Sequence, residues 1–200
     1  RNPDMLDHLK ITQASGSAVS QVEKQVSVLR ERNIDLRHRL SALTANAREN
    51  HKLHEQTSKL VLKLLAADSL EELCGVFTAA MSEDFKVEHA SIILFGEGES
   101  TGNCRIEKLE SAREEIGSLL RGRKPVCGVL RKEELSYLFP SAGAVGSAVL
   151  MPMTDDEEMG LIAVGSSDAD RYSSSMGTLF LSHIADVIVQ LLPRLEKPEA

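Results

Sequence analysis

The sequence predicts an α+β fold: an antiparallel sheet with flanking helices, preceded by a long N-terminal helix with coiled-coil character. Three observations predict it. Between Ala67 and Leu192 the apolar pattern changes period in the order helix, strand, strand, broken helices, strand, strand, helix, and strands clustered between helices mark this architecture. The stretch "SAVLMPMTDDEEMGLIAVGSSDADRYS" (147–173) reads as two apolar strands around an acidic turn. Upstream, apolar or small residues recur at alternating steps of three and four from Val19 to Ala47, the a/d spacing of a heptad seam.

Taken in order, "RNPDMLDHLKI" suits a short helix, and "TQASGSA", with Gly16 and its serines, predicts a break. The seam then runs Val19, Val22, Val26, Leu29, Asn33, Leu36, Leu40, Leu43. These residues are the expected dimer interface, and the expected assembly is a homodimer. A single Asn at an a position, here Asn33, commonly fixes the register of paired helices at some cost in stability. In the same register Asn50, His54 and Thr57 precede Val61 and Leu64, so the seam is apolar, then polar, then apolar. In a parallel pair Arg32 would face the partner's Arg37, an unfavourable contact, which leaves antiparallel pairing, or packing of the arm on the acidic body, open.

The arm is assigned to residues 1–57, a globular domain to 58–192 and a tail to 193–200. The domain opens on a helix, with Asp68 as the expected N-cap and Glu71 three residues on. Leu70, Leu73, Cys74, Phe77 and Met81 share one face of it. "HASIILFGEGES" is a strand and a Gly-rich turn, and "NCRIEKLES" a weaker strand. Residues 112–146 read as short helical pieces broken by Gly122, Pro125, Gly128 and Pro140. The hairpin strands fall near Gly146–Met153 and Met159–Ser166. A last amphipathic helix, opened by Ser173 or Ser174, carries Met176, Leu179, Phe180, His183, Ile184, Val187, Ile188 and Leu191 on its apolar face and ends at Pro193.

Composition narrows the class. Hydrophobic residues make up 42% and aromatic residues only 4%, with no Trp, so the core is aliphatic. The longest apolar runs have strand length, not bilayer length, and no membrane association is expected. Cys74, Cys104 and Cys127 are odd in number and widely spaced, which fits a reducing cytoplasm rather than a disulfide framework. Residues 1–66 carry eleven basic and seven acidic side chains, and the remainder twelve and twenty-three. An acidic body is a poor nucleic-acid surface, so nucleic acid is not an expected partner.

The motifs of the domain resemble those of GAF domains. "KLVLKLLAADSLEELCGVFTAAMSEDFKVEHASIILFGEGE" is similar to their opening helix and first strand. "GSAVLMPMTDDEEMGLIAVGSSDADRYSSSMGTLFLSHIADVIVQLL" is similar to their end, with the Gly165–Ser166 and Arg171–Tyr172 pairs where GAF domains commonly have theirs. With "KPVCG" and the upstream heptads included, nearly the whole chain resembles an uncharacterised bacterial family of GAF-like proteins, domain of unknown function 484. The resemblance implies a GAF fold and no established activity. It also implies a pocket between the sheet and the irregular segment 110–144. Cys127, Leu138 and Phe139 fall in that segment, and Ile93, Phe95, Val149 and Met151 are chosen as the strand residues facing it. Such a lining is apolar, so the expected ligand is small and apolar or planar; no cofactor is identified. The Asn-Lys-Phe-Asp-Glu signature of cyclic-nucleotide GAF domains is missing, as is the cysteine context of bilin-binding ones.

No catalytic constellation assembles from the remaining candidates. Arg123 and Lys124 stand near Cys127 and would depress its thiol pKa, though free Cys is more often a buried small hydrophobe. His51 and His54 share a helix face without a third or fourth metal ligand nearby. His183 falls on the apolar face of the last helix, where a core or interface histidine is expected rather than a ligand. The carboxylates Asp155 to Glu158 occupy a turn with no fixed geometry. Arg30, Arg32, Arg37 and Arg39 form a basic cluster without interleaved aromatics. The reading is a non-enzymatic cytoplasmic regulatory protein that dimerises through its arm and binds a small ligand, a partner protein or both. The alternatives are a structural adaptor whose pocket its own side chains fill, then a cysteine-dependent redox enzyme or a DNA-associated accessory protein.

Overall fold

The computed structural model describes residues 4–121, 124–172 and 178–195, with side chains from residue 21 onward. The chain divides into two units, Arg1–His51 and Lys52–Ala200.

The first helix, α1, spans Asp4–Leu65. It contains no proline, so every backbone amide is free to join the helical ladder. It runs through Gly16, where a break was expected; one glycine costs only about 1 kcal/mol relative to Ala inside a helix. All residues from 21 to 51 are exposed. The Val19 side chain lies outside the described residues. Val22, Val26, Leu29, Leu36, Leu40 and Leu43 range from 39% to 66% exposed, an unusual fraction for large apolar groups repeating along one stripe. Asp35 pairs with Arg39 at 2.9 Å, one turn apart on the same helix.

In the second unit the end of α1 is core. Leu60 and Leu64 are completely buried, and Arg194 donates to the carbonyls of Ala67 at 2.7 Å and Leu65 at 3.3 Å, satisfying acceptors that the helix end leaves open. Helix α2 is Leu70–Glu83. Its N-cap is Ser69, one residue after the expected Asp68: the Glu72 amide donates to Ser69 Oγ at 3.2 Å, and Glu72 Oε2 accepts from the Asp68 amide at 2.9 Å. The Ser69 half of a capping box is thus in place one position on from the expected one, while the Glu72 side chain takes the Asp68 amide instead of that of Ser69.

Five strands follow: β1 His89–Phe95, β2 Arg105–Glu107, β3 Val126–Gly128, β4 Ser147–Thr154 and β5 Glu158–Ser166. They form one sheet in the order β2-β1-β5-β4-β3. The sheet is mixed rather than wholly antiparallel, since β2 runs parallel to β1. Helices α3 (Leu109–Leu120) and α4 (Lys132–Leu138) lie in the irregular segment, and α5 (Leu179–Leu195) closes the fold. The expected start of α5, Ser173 or Ser174, and Met176 lie outside the described residues. Pro193 falls inside the last turn and does not end the helix.

The sheet separates two cores. One face meets α2, α5 and the end of α1 through Phe77, Met81, Ile92, Met153, Ile162 and Ile188. The other meets α3 and α4 through Ile93, Ile116, Leu138, Leu150 and Leu161. Gly160 sits tight against β1: a Cβ there would stand 2.4 Å from the Ile93 carbonyl oxygen.

Candidate functional site

The register decides which of the expected pocket residues meet. Ile93 is opposite Leu161, and Leu161 opposite Pro152. Ile92, Ile162 and Met151 form the neighbouring row, and Val149 pairs with Val164 on one side and Cys127 on the other. Paired residues share a sheet face. Ile93, Phe95, Leu138 and Phe139 therefore belong to the α3/α4 side, whereas Val149, Met151 and Cys127 belong to the α2/α5 side. The seven residues do not line one cavity.

On the α3/α4 side the space is closed by the chain itself. Ile93, Ile116 and Leu138 have no exposed surface. The Phe139 ring lies against Gly165, where a Cβ would come within 3.1 Å of it. A glycine in the Gly165–Ser166 pair thus lets an aromatic ring seat directly on the strand backbone. Cys127, on edge strand β3, is half-buried, and burial pushes its thiol up. That is opposite to the depression expected from Arg123 and Lys124; Arg123 lies outside the described residues, and apolar surroundings disfavour the thiolate.

Open space is found instead at the edge of β1. Strand β2 covers only Ile93–Phe95 on that edge, leaving the His89–Ile92 backbone beside a groove of about 520 Å³. One wall is Thr78 and Ser82 from α2; the turn from Gly102 to Arg105 and the Leu138–Ala142 segment supply the others. Of the expected pocket residues, Leu138 and Phe139 line it. The wall mixes hydroxyls, an amide, an imidazole and apolar groups, so it suits a polar ligand better than a purely apolar one.

The charged groups around this groove are held by specific bonds. Glu88 accepts from Ser166 Oγ at 2.6 Å and from the Ser167 amide at 2.7 Å, with Arg171 Nη1 at 3.4 Å. The Ser166 hydroxyl, then Ser167, then Arg171 hold its carboxyl down at about 2. Arg171 also donates to the Lys86 carbonyl at 3.1 Å and stands 5.8 Å from the Tyr172 ring centre. The Arg171–Tyr172 pair thereby ties the loop after β5 to the start of β1. At the other end, Arg105 Nε donates to Glu107 at 2.5 Å, and Arg105 also donates to the Tyr137 carbonyl. Its guanidinium lies 4.6 Å from the Tyr137 ring centre, and the Tyr137 hydroxyl donates to Glu107. Burial, then the Glu107 hydrogen bond, pushes the Tyr137 hydroxyl up, so it stays a donor. Sequence reasoning missed Arg105, Glu107 and Tyr137, which are far apart in the chain and match no motif.

Among the described residues no group of three or more His, Cys, Asp or Glu side chains could hold a metal, and no helix is long and apolar enough to cross a membrane.

The fold is that of GAF domains. The GAF domain of an Acinetobacter phosphoenolpyruvate-protein phosphotransferase aligns over 70% of this chain and 92% of its own, with a TM-score of 0.55 at 14% identity. That of the Coxiella burnetii protein aligns over 72% and 94%, with a TM-score of 0.56 at 10% identity. Among curated proteins, the uncharacterized protein YigA of Salmonella typhimurium is 28% identical over 199 residues, 97% of this chain and 84% of the relative. YigA of Escherichia coli is 26% identical over the same shares. A family profile matches residues 1–197, and the chain belongs to the family it describes, protein of unknown function DUF484.

Proposed function

We propose that this protein is a non-enzymatic regulatory protein of GAF fold whose output is association, with the arm pairing to a second copy of the chain. The observation that carries the reading is the exposed stripe Val22, Val26, Leu29, Leu36, Leu40 and Leu43. Its heptad spacing fits another helix of the same kind, and Asn33 in the middle supplies a register mark. Sedimentation of the full chain tests it. The expected species is a dimer that Leu36→Asp together with Leu40→Asp converts to a monomer. A monomeric full chain, or a variant as dimeric as the parent, overturns the reading. Asn33→Val is expected to raise dimer stability and to loosen the choice of assembly.

A second reading, that the domain also senses a small molecule, is favoured by the groove at the β1 edge. Its occupant would be polar and would touch Arg105, His89 and the hydroxyls of Thr78 and Ser82. Ligand at a hundredfold excess over Kd stabilises the fold by about 2.7 kcal/mol. A thermal-shift screen of polar metabolites is expected to find a stabilising compound whose effect falls in Phe139→Ala. A screen without one, on a chain shown to be folded, leaves the adaptor reading, in which association is the whole of the function.

A further inference from the structure

Two of the three cysteines meet beside the β1-edge groove, both almost wholly buried, and Cys104 is the one that lines it. Cys74 lies on α2, one turn before Thr78, and Thr78 Oγ1 donates to the Cys74 carbonyl at 2.8 Å. Cys104 ends a turn closed by two backbone bonds, Thr101 N–H to Cys104 O at 3.0 Å and Cys104 N–H to Thr101 O at 2.8 Å. That turn is seated on the same face of α2. A Cβ on Gly102 would stand 2.9 Å from Glu71 Oε1, and Glu71 is three residues from Cys74, hence its neighbour on the helix surface. Gly102 has φ +54°, a conformation glycine tolerates best, which lets the turn approach α2 this closely. Both thiols belong to the same core cluster, and Cys104 and Thr78 both line the groove.

The pair is asymmetric. Their mutual hydrogen bond, with burial, pushes the Cys74 thiol up, and the same contact holds Cys104 down against burial and the Glu71 carboxylate. In such an arrangement the sulfur held down is the readier of the two to lose its proton. Cys127 cannot take part. It lies on β3, at the opposite edge of the sheet from β2, on the order of 19 Å away at about 4.8 Å per strand step.

We propose that Cys74 and Cys104 are a redox-active dithiol, which a peroxide entering the groove converts to an intramolecular disulfide joining α2 to the turn before β2. The Cys104 thiolate attacks one peroxide oxygen; the O–O bond breaks, and Cys104 becomes a sulfenic acid while the other oxygen leaves as water after protonation. Cys74 sulfur then attacks the sulfenic sulfur; the S–O bond breaks, the S–S bond forms, and the Cys74 proton leaves with the departing hydroxide as a second water. The peroxide is reduced by two electrons and the two thiols are oxidised by two. Two equivalents of a small thiol reverse the step by exchange. The disulfide alters one wall of the groove while the arm is left as it was.

The test uses the full chain. Purified protein is treated with hydrogen peroxide, quenched with an alkylating agent and analysed by intact mass and peptide mapping. The expected product is lighter by two hydrogens, keeps one alkylatable cysteine, Cys127, gives a Cys74–Cys104 linked peptide, and reverts with dithiothreitol. Cys127→Ser is expected to behave identically, with no alkylatable cysteine left. Cys74→Ala is expected to leave Cys104 as a sulfenic acid trapped by dimedone. Three alkylatable thiols after treatment of the folded protein overturn the proposal. So does a link that involves Cys127 or joins two chains, or one that forms only in urea. None of these outcomes bears on dimerisation through the arm, which sedimentation measures separately.

Discussion

At the scale of single residues, Glu88 gathers three partners around one carboxylate. Its carboxylate is bonded by Ser166 and Ser167 and faced by Arg171. Because its folded pKa is lowered, the unfolded chain binds the proton more tightly. The stabilisation is present above the ordinary carboxylate value and is lost as pH falls through the folded one, so the window runs from about 4.5 down to about 2. Glu88→Gln is expected to flatten the dependence of stability on pH in that window and to lower stability near neutrality. Denaturant titrations at a series of pH values check it; an unchanged acid slope counts against the assignment. No local pattern announced Glu88, because its partners lie more than seventy residues away. Gly165 and Arg171 were legible only through the family's recurring pairs. Their physical reasons, a ring seated on the strand and a guanidinium closing a loop onto β1, needed coordinates.

At the scale of elements, periodicity located α2, β1, β2, the β4–β5 hairpin and α5. It could not supply the relation between strands. Alternation fixes which residues of one strand share a face, whereas the relative parity of two strands depends on register. In β1 the odd-numbered Ile93 faces α3 and α4, and in β4 the even-numbered Ala148 and Leu150 do. Choosing odd positions on both strands placed Val149 and Met151 on the wrong side. Strand β3 was missed because its three residues follow Pro125 in a segment dominated by helix breakers. The N-cap of α2 is expected at Asp68 and falls one residue later, at Ser69. Ser69→Ala is expected to cost about 1 kcal/mol, and Asp68→Ala to stay within about 0.5 kcal/mol. Thermal melts of the two variants separate the caps. In the sheet, Gly160→Ala is expected to destabilise by roughly 3 kcal/mol. Its Cβ would meet the Ile93 carbonyl, which belongs to the backbone and cannot rotate away; a neutral effect would mean that the β1–β5 pairing yields.

At the scale of the whole molecule, α1 presents its apolar residues in two settings. From Val22 to Leu43 its large residues are exposed, whereas Leu60 and Leu64 are completely buried in the domain core. The heptad register of the first stretch reaches Leu64 but passes through Val61 rather than Leu60. Nothing in the pattern says that its first stretch is exposed while its last stretch is buried, because burial depends on which other elements pack there. Removing residues 1–51 therefore spares the core, and removing residues 1–65 takes Leu60 and Leu64 out of it. The first truncated chain is expected to fold cooperatively, and the second to lose its melting transition. Leu64→Ala, a milder version of the second, is expected to cost about 2–5 kcal/mol. Association adds a further signature, since binding between folded copies raises the melting temperature with concentration. The full chain is expected to melt higher as its concentration rises, and the chain lacking residues 1–51 to melt at one temperature throughout. Concentration-dependent melting that survives the truncation would place the main interface on the domain and leave the exposed stripe of α1 without its proposed partner.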